Sequence, residues 1–500
     1  MNKTYQVRKT YNLLRMSLTF LFLMLKYNRF KPYLKSPFVV PVVLPLKINY
    51  WFVMFDEFVK EITSELEAKE SRGRARSGDA QGNFEYAVRF ILEGLWKKSL
   101  SFPPGESFIN LRSGYYSELP RYKDQKLTYR QVKAAFDGMI ECRFIEITSK
   151  GSHFKELLTG FVATDQLLER MENLEGHPAF VLSPPKDEEI IILRDKIGDQ
   201  KVDVEYKDTP KTERFRANLK KINHCFLKHW ADLRIKNTEY HKLAERILQD
   251  EDKEPIDLSR RTLTRIFANG SFEKGGRFYR GWWQNVPSEY RPFITIDEAV
   301  TTEYDYSQLS PHMLYFAYNY EMGNEDAYDR VLDGEHRDVV KQAFNAMIQA
   351  NSPLNLKPDN INIDNLEMEW KDLRQRILDT HKPIAHLFFK GEGNKLQYKD
   401  SCIAESVMLQ FADQNQVALP IHDSFIMRQG YAGDLEEAMR RAFYDEFQSD
   451  IPIKHEVIVE RVTLFEDDGT SRTEAVTKDD TEHSQWYDRN TLWLSRDRFQ

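Results

Sequence analysis

Tyr304-Asp305-Tyr306-Ser307-Gln308 and Leu419-Pro420-Ile421-His422-Asp423-Ser424-Phe425 each set one aspartate at the edge of an apolar, strand-like run. Strand ends and tight turns hold carboxylates more rigidly than flexible loops do. In-line phosphoryl transfer with two metal ions needs two such carboxylates a few ångströms apart, so that the ions clamp the attacking and leaving oxygens. Mg²⁺ suits this arrangement, since it takes few protein carboxylates and fills its octahedral shell with water and substrate phosphates. Asp305 and Asp423 are therefore the candidate metal-binding and catalytic pair, and the fold has to bring them together.

Between them lies Arg337-Asp338-Val339-Val340-Lys341-Gln342-Ala343-Phe344-Asn345, in which Arg337, Lys341 and Asn345 recur at i, i+4 and i+8 on one helix face. Cations one turn apart can neutralise β- and γ-phosphates and position the α-phosphorus for attack. Standing alone, the same helix would read as an ordinary charged surface. Before the first aspartate come Gly275-Gly276-Arg277-Phe278-Tyr279 and Gln284-Asn285-Val286-Pro287. Before the second come Asp400-Ser401 and an apolar-periodic helix through Val407, Met408 and Phe411.

Together, and in this order, the segments resemble the catalytic region of family A DNA polymerases and phage-type single-subunit RNA polymerases. The compact spacing is most similar to the transposon–virus polymerase group of mobile elements. The resemblance covers about a third of the chain. It implies an α+β right-hand fold: a palm with an antiparallel sheet, reduced helical fingers and a helical thumb-like region. It implies two Mg²⁺ ions, replaceable by Mn²⁺, on Asp305 and Asp423, and an incoming triphosphate held by Arg337, Lys341 and Asn345. Gln308 and Ser310 would border the nucleotide, His422 the primer end, and Arg277, Gln284 and Asn285 the template–primer duplex. DNA or RNA template–primer and nucleoside triphosphates are the implied partners.

The chain departs from the family in four places. Ser424 stands where the DNA polymerases usually carry glutamate, which is closer to the RNA polymerases. Gln349 replaces the fingers tyrosine, and Asp305 and Asp423 are only 118 positions apart (423 − 305). Ser310 replaces the bulky glutamate that blocks a ribose 2′-hydroxyl, so weak sugar discrimination is expected.

Nearer the N-terminus, Thr128 and Gln131 form a capping-box signature, and Val132, Ala135, Phe136, Met139 and Ile140 fall at helical spacing. Strands near 144–147 and 159–163 follow. Helix then hairpin is the pattern of a winged helix-turn-helix, with Lys126, Arg130, Lys133 and Lys150 as DNA contacts; a small domain packing on its neighbour fits equally. Further on, 188–195 and 201–207 read as a hairpin around Gly198. A basic helix runs from Lys211 to Lys228. Asp203 and Glu205 make a DxE pair without the downstream acids an exonuclease needs.

The 500 residues carry net charge −7, with 30% charged side chains, which fits a folded protein with no overall basic signature. Cys142, Cys225 and Cys402 form no CxxC pair, so a reducing cytoplasm is expected. No acidic residue precedes Asp56, and no clean run of about 20 apolar residues occurs there, so a late start at Met54 is read in preference to a membrane anchor. The expected organisation is a doubtful extension at 1–55, a helical and winged-helix domain at 56–180, a connecting thumb-like region at 181–270, palm and fingers at 271–465 and an acidic, poorly ordered tail at 466–500. A monomer without membrane contact is expected. The competing reading is an inactive, winged-helix DNA-binding initiator or regulator.

Overall fold

The computed structural model describes residues 50–99, 105–151, 158–174, 188–198, 200–249, 256–323, 325–456, 461–465 and 471–475. The expectations for residues 1–49 and for most of the tail lie outside them. The architecture is α+β, with antiparallel and mixed sheets.

A front module is built from α1 (Tyr50–Lys69), α2 (Gly78–Ser99), α3 (Tyr129–Glu141), α4 (Asp165–Glu172) and an antiparallel sheet ordered β1 (Ser107–Ile109), β3 (Thr159–Ala163), β2 (Ile145–Ser149). α3 starts where the capping box places it, with the Thr128 hydroxyl accepting from the Gln131 N–H. Its stripe of Val132, Ala135, Phe136 and Met139 is buried, whereas Ile140 is exposed. These side chains join Phe55, Ile62, Phe84, Ile91 and Trp96 in one core. Each large apolar side chain in it contributes about 1.5–3 kcal/mol by leaving water. α1 ends at Lys69, and Gly73, a poor helix former, follows in the connection to α2.

The body has a separate core running from Ile190 to Ile451, which unites side chains of the expected 181–270 and 271–465 regions. One mixed sheet has the order β5 (Gln200–Asp203), β4 (Ile191–Ile197), β7 (Thr264–Ala268), β8 (Ser271–Tyr279), with the β4–β5 turn at Gly198 as read from sequence. The second sheet runs β11 (Leu419–Ile421), β12 (Ser424–Arg428), β10 (Ala299–Tyr306), β9 (Ile294–Ile296), β6 (Ala231–Leu233), and β13 (Ile453–Glu456) pairs with the other edge of β10. In the second half of β10 the even-numbered side chains Thr302, Tyr304 and Tyr306 are buried. The Tyr306 hydroxyl donates to the Met439 carbonyl of α11 (Ala432–Phe447), fixing that helix to the back of the sheet. The odd-numbered face is left for Glu303 and Asp305.

Among the described residues the body has six more α-helices: α5 (Pro210–Lys228), α6 (Asn237–Leu248), α7 (Leu309–Ala317), α8 (Arg337–Gln349), α9 (Trp370–Thr380) and α10 (Gly393–Asp413), the last directly before β11. A hairpin, β14 (Arg461–Phe465) with β15 (Ser471–Ala475), extends into the segment expected to be a tail.

The seam between front module and body is polar. Arg121 pairs with Glu189 (3.0 Å) and Asp208 (3.1 Å) and lies over the Tyr206 ring. The Tyr122 hydroxyl donates to Val204 O and accepts from Leu193 N–H. No described helix is long and apolar enough to cross a membrane.

Candidate active site

β10 and β12 pair antiparallel with Asp305 directly opposite Ser424, the residue after Asp423. The Tyr306 N–H donates to the Asp423 carbonyl at 3.4 Å. Directly paired residues on adjacent antiparallel strands lie about 4.5–5.5 Å apart at Cα, so the two aspartates are neighbours in the fold. Asp423 sits in the two-residue turn closing β11 onto β12, because Ile421 and Ser424 are already paired. Its companion His422 has φ +56°, a left-handed conformation that a non-glycine residue adopts at a cost of about 1–2 kcal/mol. Asp305, Asp423, His422, Glu303, Arg291 and Ser424 line an open cavity of ≈ 520 Å³.

A third carboxylate stands behind the pair. Asp400 of α10 is 2% exposed and accepts from Arg277 Nε at 2.6 Å. Burial raises its pKa, Arg277 draws it back and Asp423 pushes it up again, to about 6. Arg277 reaches it through a break in the β7–β8 register at Gly275 and Gly276, where φ is +69° and +80°. A Cβ at Gly276 would meet the Phe267 ring at 2.8 Å and Ser401 Oγ at 2.9 Å, so only glycine lets β8 approach α10 this closely. The buried Arg265 locks the approach, donating to Gly276 O (2.9 Å) and Ser401 Oγ (3.0 Å) and pairing with Glu405 (2.9 Å).

On the cavity floor, Glu303 accepts from the Ser424 hydroxyl (2.5 Å) and from Arg291 (3.0 Å). Lys454 of β13 occupies the register position opposite Asp305 on the other edge. His422 is exposed and packs edge-on to Tyr279. Contact with the protein on one side, then the Arg277 guanidinium, lowers its pKa, which favours neutral imidazole.

Arg337 opens α8 and donates twice to Asp326 Oδ2, at 3.2 and 2.8 Å. Asp326 Oδ1 also accepts the N–H groups of Tyr328 (2.8 Å) and Asp329 (3.1 Å), so the arginine is docked on a rigid loop. Arg337 lies over the Tyr328 ring, and Tyr328 is buried close enough to Asp423 to feel its charge. Gln308 holds the same loop, its Oε1 accepting from Ala327 N–H at 2.5 Å. His381, fully buried, braces it from behind: it bonds Ala327 O, and Tyr315 and Arg330 both donate to its Nδ1. Burial, then the Arg330 charge, lowers its pKa to about 4, so it remains neutral. Lys341, one turn along α8, is exposed and makes no ion pair among the described residues. Asn345 and Ser310 are half-buried, Ser310 in the first turn of α7.

Gln284 turns inward: its amide donates to Phe278 O and Pro420 O, and its Oε1 accepts from Gly281 N–H. Together with Trp283, which also donates to Pro420 O, it anchors β11 immediately before His422. Asn285 adjoins it, half-buried. The remaining candidates lie in the front module. Arg130, Lys126 and Lys150 are exposed there, and Lys133 pairs with Asp137 in the next turn of α3. The DxE acids are engaged elsewhere, Asp203 with Arg194 and Glu205 with the Arg121 N–H.

As a metal site, the pair offers hard oxygen donors only. Among the described residues no group of three or more His, Cys, Asp or Glu is arranged to hold an ion. Two carboxylates facing an open cavity nevertheless suit Mg²⁺, which leaves most of its shell to water and phosphate oxygens. Sequence reasoning missed Asp400 as a member of the site, and missed Glu303, Arg291, Asp326 and Lys454. Only Asp400 left a trace, as an acid inside an apolar-periodic helix. No family model matches the chain, and no curated protein matches it in sequence.

Proposed function

We propose that the chain is a template-directed nucleotidyltransferase that joins nucleoside triphosphates to a nucleic-acid 3′ end. The observation that carries this is the strand register that sets Asp305 beside Asp423 on an open face, with a docked Arg337 and, on the same helix between them in sequence, an exposed Lys341 that makes no ion pair among the described residues. A nuclease also needs the two acids, but it has no use for a cationic helix suited to a free triphosphate. On this reading the β10–β12 sheet is the palm, α8 belongs to reduced fingers, and the front module is a winged helix.

Asp305 and Asp423 would hold Mg²⁺, which when bound lowers the pKa of the attacking hydroxyl and offsets phosphate charge. Arg337, fixed by Asp326, and Lys341 one turn further on would bind the β- and γ-phosphates and orient the α-phosphorus. Neutral His422 at the turn would hydrogen-bond the primer end. Arg277, clamped on Asp400, sets the electrostatic background of Asp423. The half-buried Ser310 leaves space for a ribose hydroxyl. Synthesis for a mobile element, from ribonucleotides as well as deoxynucleotides, is the role this reading supports.

The test is Mg²⁺-dependent primer extension with each nucleotide class offered separately. Asp305→Asn and Asp423→Asn should each fall to background while retaining the wild-type circular dichroism spectrum. Synthesis by either folded variant would overturn the assignment, and binding without synthesis by the wild type would favour an initiator or regulator.

A further inference from the structure

We infer that the front module grips a nucleic-acid strand by its phosphates, through an arginine-lined cavity remote in sequence from the catalytic residues. The cavity, ≈ 780 Å³ and open to solvent, is lined by Arg72, Arg74, Arg76 and Arg130. Three come from the Ser71–Ser77 connection between α1 and α2, and Arg130 from the first turn of α3. The site is built. Arg76 has only 5% of its side chain exposed, pairs with Glu67 (3.0 Å) and Glu70 (2.6 Å), and stacks 3.6 Å above the Phe84 ring. That fixes the connection so that its neighbouring arginines converge.

Charge accounting then points to an anionic ligand. Among the described residues Glu70 is the only carboxylate in the lining, and Arg76 and Arg72 already engage it, Arg72 at 3.5 Å. Arg74 and Arg130 are exposed and have no carboxylate partner among the described residues. Converging guanidinium groups without counter-charges match phosphate oxygens in geometry and sign. The apolar lining offers no place for a base: Ala75, Ala80 and Ala134 are small, and Phe84 is buried beneath Arg76. Recognition therefore rests on phosphates, and an open cavity far larger than one phosphate suits consecutive groups of a strand. Such contacts confer affinity without sequence preference.

The probe is a short fluorescein-labelled single-stranded oligodeoxynucleotide, titrated with the full chain by anisotropy over a salt series, without Mg²⁺ or nucleotide. In R74Q/R130Q the slope of log affinity against log salt should become shallower by about 1.4, since each lost phosphate contact removes about 0.7 for a single strand. R74K/R130K should recover most of the slope, and K371Q/R441Q, which removes two exposed charges elsewhere, should keep it. Unlabelled strand should displace the probe, whereas ATP at equal phosphate concentration should not. An unchanged slope in R74Q/R130Q overturns the proposal, and displacement by ATP reassigns the cavity to free nucleotides. Because no synthesis is measured, either result is independent of the fate of Asp305 and Asp423.

Discussion

Replacing Arg277 by methionine removes the cation facing Asp400 while keeping much of the side-chain volume. Left ionised and unpaired, the buried carboxylate would cost about 3–5 kcal/mol. Protonation is the cheaper route. With a pKa of about 6, neutralising Asp400 costs about 1.4 kcal/mol at pH 7, about 2.7 at pH 8 and almost nothing at pH 5. That route caps the electrostatic penalty and gives it a sign. At neutral pH the variant's native state holds a proton that its unfolded state lacks, so its stability falls as pH rises. Urea unfolding in metal-free buffer, for wild type, R277M, D400N and the double variant, measures this. The R277M deficit should widen by about 1.4 kcal/mol per pH unit above pH 6, and D400N should abolish the widening when combined with it. A deficit equally large in acid and alkali would refute the account of Asp400.

Three further outcomes are expected. Lys341→Ala should raise the KM for nucleotide about tenfold or more with a smaller change in kcat, since a charged contact to phosphate contributes about 1.5–3 kcal/mol; steady-state primer extension reads both. Ser310→Glu should lower ribonucleotide use relative to deoxynucleotide use, seen by comparing kcat/KM for the two classes. His229, 12% exposed, bonds Asp297 at 2.6 Å and Asn415 O at 3.0 Å; burial lowers its pKa, but Asp297, and then Cys225, raise it to about 9. Because the folded pKa lies above the unfolded one, wild type should exceed His229→Gln by about 3 kcal/mol below pH 6.5, and the advantage should vanish as pH rises through 9.

Local rules made much of the fold legible. The Thr128 cap, the 159–163 strand, the Gly198 hairpin and the basic helix before His229 all depend on neighbours within a few residues, and the structure has each of them. The meeting of Asp305 with Asp423 depends on pairing between strands 118 positions apart (423 − 305), which the sequence could only suggest through chemistry. What stayed hidden was created by long-range contact. Asp400 looks like any helix residue until the Gly275–Gly276 break delivers Arg277 to it, and Lys454 lies on a strand of four residues with one apolar member. Gln284, read as a duplex contact, has its amide committed to main-chain partners, a use that no spacing rule reveals.

The seam at Arg121 gives the molecule an ionic joint between two separately filled cores. The Arg121–Asp208 pair, whose carboxylate is 39% exposed, fades as the Debye length, about 8 Å at physiological ionic strength, shrinks further, whereas apolar burial does not. Raising salt therefore loosens the coupling and leaves both hydrophobic interiors intact, so calorimetric melting should split into two peaks. If the front module holds a strand while the body extends it, Arg121 and the Tyr122 hydroxyl share the mechanical load between grip and synthesis.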